Sequence, residues 1–350
     1  MDEDLPHLVG VVCDIRSLES TRWFFPSKVG GNPSWLIPDR IPEINCDSCG
    51  RPMTFLLQIY APVPESESAF HRSLMVFSCL QCRCFLRAFR VQLPLVNSYY
   101  GTESLTVTNA PIDDPVIAAL CCEQCGMPKH GGGLCRSLPE YGLEIESLDE
   151  INMEEDDEDM DSDGDDVEEE KLKMMQITGK SDMTLDEDET DVFNDFTETA
   201  IEHDASFRVF KRFTAEAPTD HVVYYSLGAN PLWITDQNQI ASPPPNCEHC
   251  GGTRQFEFQI QPQLIFHLMK RLRGFPMNAA PFEWGVVAVY TCVNNCTSPQ
   301  SHYCEEFLFN QLEPAEWLDF HARKKVDFSK DKSSPPKLAG TESESDGEWT

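Results

Sequence analysis

Apolar residues in this chain come mostly in short alternating runs. Phe55, Leu57 and Ile59 alternate with less apolar neighbours, and Phe256, Phe258 and Ile260 do the same in the second half. A period of two predicts strands, with each trio on one face. Denser apolar runs, Leu74 to Phe77 and Val286 to Tyr290, read as more deeply buried strands. Helical spacing is rarer. Phe207, Phe210 and Phe213 suit one face of a short helix ended by Pro218, and Leu264, Leu268, Met269 and Leu272 suit a second opened by Pro262. The prediction is an α+β chain dominated by strands.

The pattern also repeats. Gly30-Gly31-Asn32-Pro33-Ser34-Trp35-Leu36 aligns without a gap on Gly228-Ala229-Asn230-Pro231-Leu232-Trp233-Ile234. Each copy leads to a Cys-x-x-Cys-Gly, then to an alternating strand, then to an apolar strand that enters a second cysteine pair. Four features in one order predict a duplicated unit, hence two pseudo-repeated lobes. Gly30-Gly31 reads as a turn, and Trp35 and Trp233 as core residues.

Charge changes the picture between the halves. The formal net charge is -32, and about 23 acidic residues lie between Glu144 and Asp191 against Lys171, Lys173 and Lys180. Such a segment lacks the apolar residues to offset chain entropy and reads as a disordered acidic linker. The expected organisation is an amino-terminal lobe over 1–140, the linker over 141–200, a carboxy-terminal lobe over 201–323 and a flexible tail over 324–350. Met1-Asp2-Glu3-Asp4 is acidic where a secretory signal is basic, and no apolar run reaches the roughly 20 residues of a membrane span. The expectation is a soluble, non-secreted protein with no membrane partner. The acidity disfavours DNA and RNA, which a basic patch would have to neutralise; Arg83, Arg87 and Arg90 supply only a small one. A basic protein partner fits better.

In a reducing compartment the 15 cysteines read as metal ligands rather than disulfides. Cys46 and Cys49 with Cys79 and Cys82 make a four-thiolate zinc set, and Cys247 and Cys250 with Cys292 and Cys296 make its counterpart. Cys84 could replace Cys82, and Cys304 or His302 could replace Cys296. His249, inside its knuckle, reads as a polar turn residue. Cys121, Cys122, Cys125, His130 and Cys135 offer donors for a small third site, or form a loop of reduced thiols. Closed four-coordinate sites leave no position for water, and no phosphate loop, nucleophile elbow or His-Glu-x-x-His is present in the sequence. A non-enzymatic protein is expected. His71-Arg72 reads as a hydrogen-bonded structural pair. The gap from Cys49 to Cys79 is too long for a compact RING module.

The run Ser27 to Leu36, the knuckle Cys46-x-x-Cys49-Gly50, Leu57 to Pro62, and Phe70-His71-Arg72 through to Cys79 resemble the amino-terminal signature of the programmed cell death protein 2 family. Gly228 to Ile234, the Cys247 knuckle and Gly285 to Cys292 resemble its carboxy-terminal domain. The chain is similar to the 2-like branch, which includes the insect member called toys are us, because a complete MYND-type finger is missing. The resemblance implies a dedicated chaperone or adaptor for a basic ribosomal protein of the small (40S) subunit, of the uS-five family. It implies a role in ribosome biogenesis and a cytoplasmic location with shuttling to the nucleus. Leu143, Ile145, Leu148 and Ile151 form an amphipathic string that either docks in an exportin groove or packs on the first lobe. The rival reading is a zinc-dependent regulatory scaffold in apoptosis, cell-cycle or ubiquitin pathways.

Overall fold

The computed structural model describes residues 7–103, 105–130, 136–148, 204–272, 281–298 and 302–312. The first half contributes β1 (Leu8–Cys13), β2 (Lys28–Gly31), β3 (Thr54–Tyr60), β4 (His71–Ser78), β5 (Leu86–Leu93) and β6 (Leu138–Ser147). The second contributes β7 (His221–Tyr225), β8 (Arg254–Ile260), β9 (Val286–Cys292) and β10 (Tyr303–Gln311). Three helices accompany them among the described residues: α1 (Pro115–Leu120), α2 (Ala205–Glu216) and α3 (Gln263–Arg271).

The strands close into one barrel in the order β1-β6-β2-β3-β4-β5-β10-β9-β8-β7. Where the sequence predicts two lobes, the structure joins both halves edge to edge. β10 pairs with β5 through Tyr303↔Val91 to Glu306↔Ala88, and β7 pairs with β1 through Leu8↔Tyr225 to Val11↔His221. The physical reason is the edge: a four-stranded meander alone leaves two rows of unpaired backbone groups, and closure removes them.

The first boundary of the expected linker also moves. Residues 141–147 belong to β6, where Leu143 is buried against β1 and Glu144 and Glu146 face solvent. Leu143 and Ile145 are therefore wall residues of the barrel, and Leu148 is buried with its N–H bonded to the His7 carbonyl. The string that could have docked in an exportin groove is committed to the fold up to Leu148. Ile151, residues 149–203, residues 313–323 and the tail 324–350 lie outside the described residues.

Both expected helices form. Phe210 and Phe213 of α2 are buried, Asp204 caps its start by accepting from the Phe207 N–H, and the helix stops ahead of Pro218. Leu264, Leu268 and Met269 of α3 are buried, with Pro262 at its N-cap. The unexpected element is α1, whose cap Asp114 accepts from the N–H groups of Val116 and Ile117 with Pro115 in the first turn.

Two apolar clusters lie on opposite faces of the sheet. One draws on β2 to β9 together, including Leu57, Leu74, Val76, Phe258 and Val289, and so fills the lumen. The other packs Trp35, Phe55, Met75, Phe77, Phe89 and Tyr303 on the outside of β3, β4, β5 and β10. A bulge in β3 between Phe55 and Leu57 places Phe55 outside while Leu57 and Ile59 face inward, so the trio does not share a face. β8 carries the same bulge between Phe256 and Phe258, and Phe256 packs on Tyr224 and Tyr290 instead.

The lumen also holds charge. Arg72 forms a bidentate pair with Glu257, with both N–O distances 2.6 Å, and Arg90 and Arg254 share Glu306 at 2.7 and 3.0 Å. His71 and Arg72 are thus not bonded to one another. As neighbours on a strand they point to opposite faces, and the His71 ring meets the Tyr60 hydroxyl at 2.9 Å. Of the three arginines in the small basic patch, Arg90 is buried and Arg87 is held by Glu305, which reduces that patch further.

Candidate metal centres

Each cysteine set is assembled from a knuckle and a distant strand end. In the first, Cys46 to Gly50 turns tightly: the Gly50 N–H reaches the Cys46 carbonyl and the Cys46 N–H the Arg51 carbonyl, both at 2.8 Å. Gly50 takes φ +69°, a left-handed value that favours glycine. The end of β4 delivers Cys79, and the following turn delivers Cys82. The four sulfurs of Cys46, Cys49, Cys79 and Cys82 lie within 4.8 Å of one another, with Cys49 and Cys79 3.6 Å apart.

The second set is built in the same way. Gly251 N–H meets the Cys247 carbonyl and Cys247 N–H the Gly252 carbonyl at 2.8 Å, with Gly251 at φ +70°. Cys292 ends β9 and Cys296 follows in its turn. The four sulfurs again lie within 4.8 Å, and the pairs Cys247–Cys296 and Cys250–Cys292 are each 3.5 Å apart. Four thiolates bonded to one zinc at about 2.3 Å in a tetrahedron would stand about 3.8 Å apart, so both sets fit a metal ion. In each set the first and third cysteines are buried and the second is exposed.

The electrostatics favour thiolate at the exposed corner. Cys49 is lowered to about 7, first by the Arg51 N–H, and Cys250 to about 6, first by the Gly252 N–H and then by Asn294. Burial raises Cys79 to about 12 and pushes Cys292 and Cys296 up as well. A bound dication would supply the charge that makes these buried thiols give up their protons.

The spare cysteines stay outside the sets. The Cys84 thiol donates to the Cys82 carbonyl at 3.3 Å, and the Cys304 thiol to the Cys296 carbonyl at 3.7 Å. His302 adopts φ +55° in the turn before β10, and neither it nor His249 joins a metal-competent group.

A third group unites Cys122, Cys125 and His130, with Cys125 Sγ 3.6 Å from His130 Nε2. Its turn copies the first knuckle: Gly126 N–H to the Cys122 carbonyl and Cys122 N–H to the Met127 carbonyl at 2.8 Å, flanked by a Cys121–Pro128 bridge where the first has Asn45–Pro52. Cys121 is the backbone-bridge residue of this turn rather than a donor, and Cys135 lies outside the described residues. The sequence signal is the shared Cys-x-x-Cys-Gly-x-Pro, which the first knuckle and this one have in common. The turn docks on the first half through Trp35, fully buried, whose indole N–H donates to the Gly126 carbonyl at 2.6 Å. Trp233, by contrast, is half-buried and edge-on to Phe309.

The interior supports the second set directly. Arg90, besides Glu306 and Gln92, points Nη2 at Cys296 Sγ at 3.9 Å, and Glu306 accepts from the Cys292 N–H at 3.3 Å. A partner behind the first shell orients ligands and offsets the charge of four thiolates.

Residues 7–106 match the N-terminal domain of programmed cell death protein 2, and residues 204–312 match its C-terminal domain. Programmed cell death protein 2 of Mus musculus is 33% identical over 322 residues, covering 82% of this chain and 91% of the relative. The Bos taurus protein of the same name is 32% identical with the same coverage. Programmed cell death protein 2-like of Homo sapiens is 25% identical, covering 83% of this chain and 91% of the relative. No solved structure matches the chain.

Proposed function

Because the chain belongs to the programmed cell death protein 2 family, we propose that it is a zinc-stapled, non-enzymatic chaperone or adaptor for a basic ribosomal protein of the small subunit, of the uS-five family. The observation that carries this reading is where the acidic charge is attached. Of the about 23 acidic residues between Glu144 and Asp191, all but Glu144 and Glu146 of β6 fall in the connection from β6 to α2 of a closed barrel. A strongly basic client gains its first attraction from that charge, and the rigid barrel supplies a surface for specific contact. Zinc is the metal that suits all-cysteine tetrahedral sets in a reducing compartment, and a set closed by four thiolates serves folding rather than hydrolysis.

The two halves are further read as copies of one unit. The equivalent bulges support this, as do two equivalent amides: Gln58 Oε1 accepts from the Ser34 N–H at 2.9 Å, and Gln259 Oε1 accepts from the Leu232 N–H at 2.7 Å. This reading carries with it a cytoplasmic location and passage to the nucleus.

Affinity capture of the tagged chain, followed by mass spectrometry, tests the client. One dominant basic ribosomal protein of the small subunit is expected. Recovery of ubiquitin-conjugating enzymes or apoptotic regulators in its place would support a zinc-dependent scaffold and sink the chaperone reading.

A further inference from the structure

The two domain matches cover residues 7–106 and 204–312, and the third cysteine group falls between them. The stretch that carries it buries little of its own apolar surface. Among residues 105–130 only Cys121, Cys125, Gly126 and Met127 are buried; α1 has no buried residue, and Ile112 and Leu120 are 87% and 43% exposed. A segment with so small a core needs another source of order. Its turn is nevertheless held to one shape and seated at one place. Gly126 takes φ +64°, close to Gly50 at +69° in the first knuckle. A Cβ on Gly126 would stand 2.7 Å from both Asn32 Cβ and Pro33 Cδ, so the turn lies tight on the Asn32–Trp35 segment. Asn32 Nδ2 donates to the Glu123 carbonyl at 3.2 Å, beside the bond from the Trp35 indole to Gly126. The Lys129 N–H reaches the Leu120 carbonyl at 2.9 Å, which turns the chain back so that His130 meets Cys125.

The donor atoms decide what the group can hold. The sulfurs of Cys122 and Cys125 and a ring nitrogen of His130 lie within 4.8 Å of one another, and Cys125 Sγ stands 3.6 Å from His130 Nε2. A tetrahedral zinc with bonds of about 2.3 Å to sulfur and about 2.1 Å to nitrogen sets those two atoms about 3.6 Å apart. A thiol–imidazole hydrogen bond would account for that one separation, but not for the convergence of Cys122 on the same point. Two soft thiolates with an imidazole suit zinc, whereas calcium and magnesium take oxygen ligands. Charge agrees. Two thiolates and a neutral imidazole are neutralised by one dication, so this group needs no buried cation behind it, unlike the second set with Arg90.

We propose that Cys122, Cys125 and His130 bind a third zinc ion, which holds the turn after α1 in shape against Trp35. The fourth corner of the tetrahedron is filled by water or by a donor outside these three. The site adds to the two four-cysteine sets and stands whatever client the chain serves.

Elemental analysis of the full chain, loaded with zinc and freed of loosely held metal by desalting, tests it. Cys125→Ser and His130→Ala should each carry one zinc equivalent fewer than the parent chain, and melting curves establish that each variant is folded. Hydrogen exchange supplies a second signal. In His130→Ala the amides of residues 122–130 should lose protection while those of β3 and β4 keep theirs, because the ion orders the turn and not the barrel. Equal zinc content in the parent and either variant overturns the proposal, whatever the two four-cysteine sets hold. So does the loss of one equivalent with unchanged exchange over residues 122–130, which would place the lost ion away from this turn. If Cys125→Ser fails to fold, the His130→Ala arms decide alone.

Discussion

Arg72 and Glu257, 185 positions apart in sequence, meet inside the barrel with two parallel hydrogen bonds of 2.6 Å. Each comes from a different half, and Glu257 is further satisfied by the hydroxyls of Tyr225 and Thr291. Burial alone would raise the Glu257 carboxyl, but Arg72 and these donors outweigh it and hold it below the usual carboxylate value. Replacing Arg72 by Met leaves a buried carboxylate without its cation, which costs about 3–5 kcal/mol. Urea unfolding should show that loss in one transition shared by both halves. Adding Glu257→Leu should recover part of it. An unchanged midpoint for the single variant would refute the pair's role in joining the halves.

Metal content separates the two thiol sets. Cys46→Ser and Cys247→Ser should each lose one zinc equivalent by elemental analysis, while Cys84→Ser and Cys304→Ser, whose sulfurs stand outside the sets, should lose none. Structural zinc contributes about 10–16 kcal/mol to small zinc-finger folds at neutral pH, as much as the whole stability of an ordinary domain. Since both sets lie in one barrel, either cysteine variant should lower the melting temperature of the whole chain and not of one half. A Cys304→Ser protein short of one zinc would reassign the fourth ligand.

Two glycines at similar φ should respond differently to alanine. At Gly30, with φ +61°, a Cβ would stand 2.0 Å from the Pro139 carbonyl oxygen; at Gly50, with φ +69°, it would meet nothing within 4 Å. Gly50→Ala should cost only the left-handed backbone penalty, about 1–2 kcal/mol. Gly30→Ala must also push β2 away from β6 and should cost clearly more. Equal denaturation midpoints for the two variants would contradict the close approach.

Burial lowers the pKa of His71, His221 and His267 below the ordinary 6.5, against a raising contribution from Asp220 at His267 and from the Pro218 carbonyl at His221. A lowered folded pKa means that the unfolded chain takes up protons first. Stability should therefore be intact above pH 6.5 and fall as the pH drops through that value and below. Unfolding measured across this range should show the decline, and His221→Asn, which removes one titrating ring, should make it shallower. A slope unchanged by that substitution would remove His221 from the account.

Client association should divide into a charge-dependent and a charge-independent part. Attraction to exposed carboxylates fades as the Debye length shortens from about 10 Å at 0.1 M salt to about 3 Å at 1 M. Replacing residues 149–203 with a neutral Gly-Ser segment should slow association and flatten its salt dependence, yet leave the captured protein the same. If the replaced chain no longer distinguishes its client, binding was charge attraction alone.

Much of the grouping of the cysteines was legible because the spacing within each pair is local. Cys46 and Cys49, or Cys247 and Cys250, need only their own turn, and the strand ends at Cys79 and Cys292 are marked by apolar runs. The barrel was not legible, because pairing Tyr303 with Val91 or Leu8 with Tyr225 depends on edges that composition does not mark. Bulges hid the true faces of Phe55 and Phe256, since an inserted residue reverses the alternation without altering the apolar pattern. Arg72 reads from the sequence as half of a structural pair with His71, and Arg90 as part of a small basic patch, for want of any signal for Glu257 and Glu306, far along the chain. The end of the first half was misplaced because Glu144 and Glu146 look like linker, whereas they are the solvent-facing positions of β6.

The two seams set a timetable for biosynthesis. From Leu93 at the end of β5 to Tyr303 at the start of its partner β10 the ribosome must add roughly 210 residues, which takes about 10–40 s at 5–20 residues per second. Throughout that interval the emerging first half carries an unpaired edge on β5 and a buried Arg90 whose partner Glu306 has not been made, while β1 waits for β7 until Tyr225 and Arg72 for its carboxylate until Glu257. A message truncated anywhere before Tyr303 yields a product that can neither close its sheet nor supply Glu306 to its buried Arg90, and such a fragment is a substrate for holdases and proteases rather than a working half-protein.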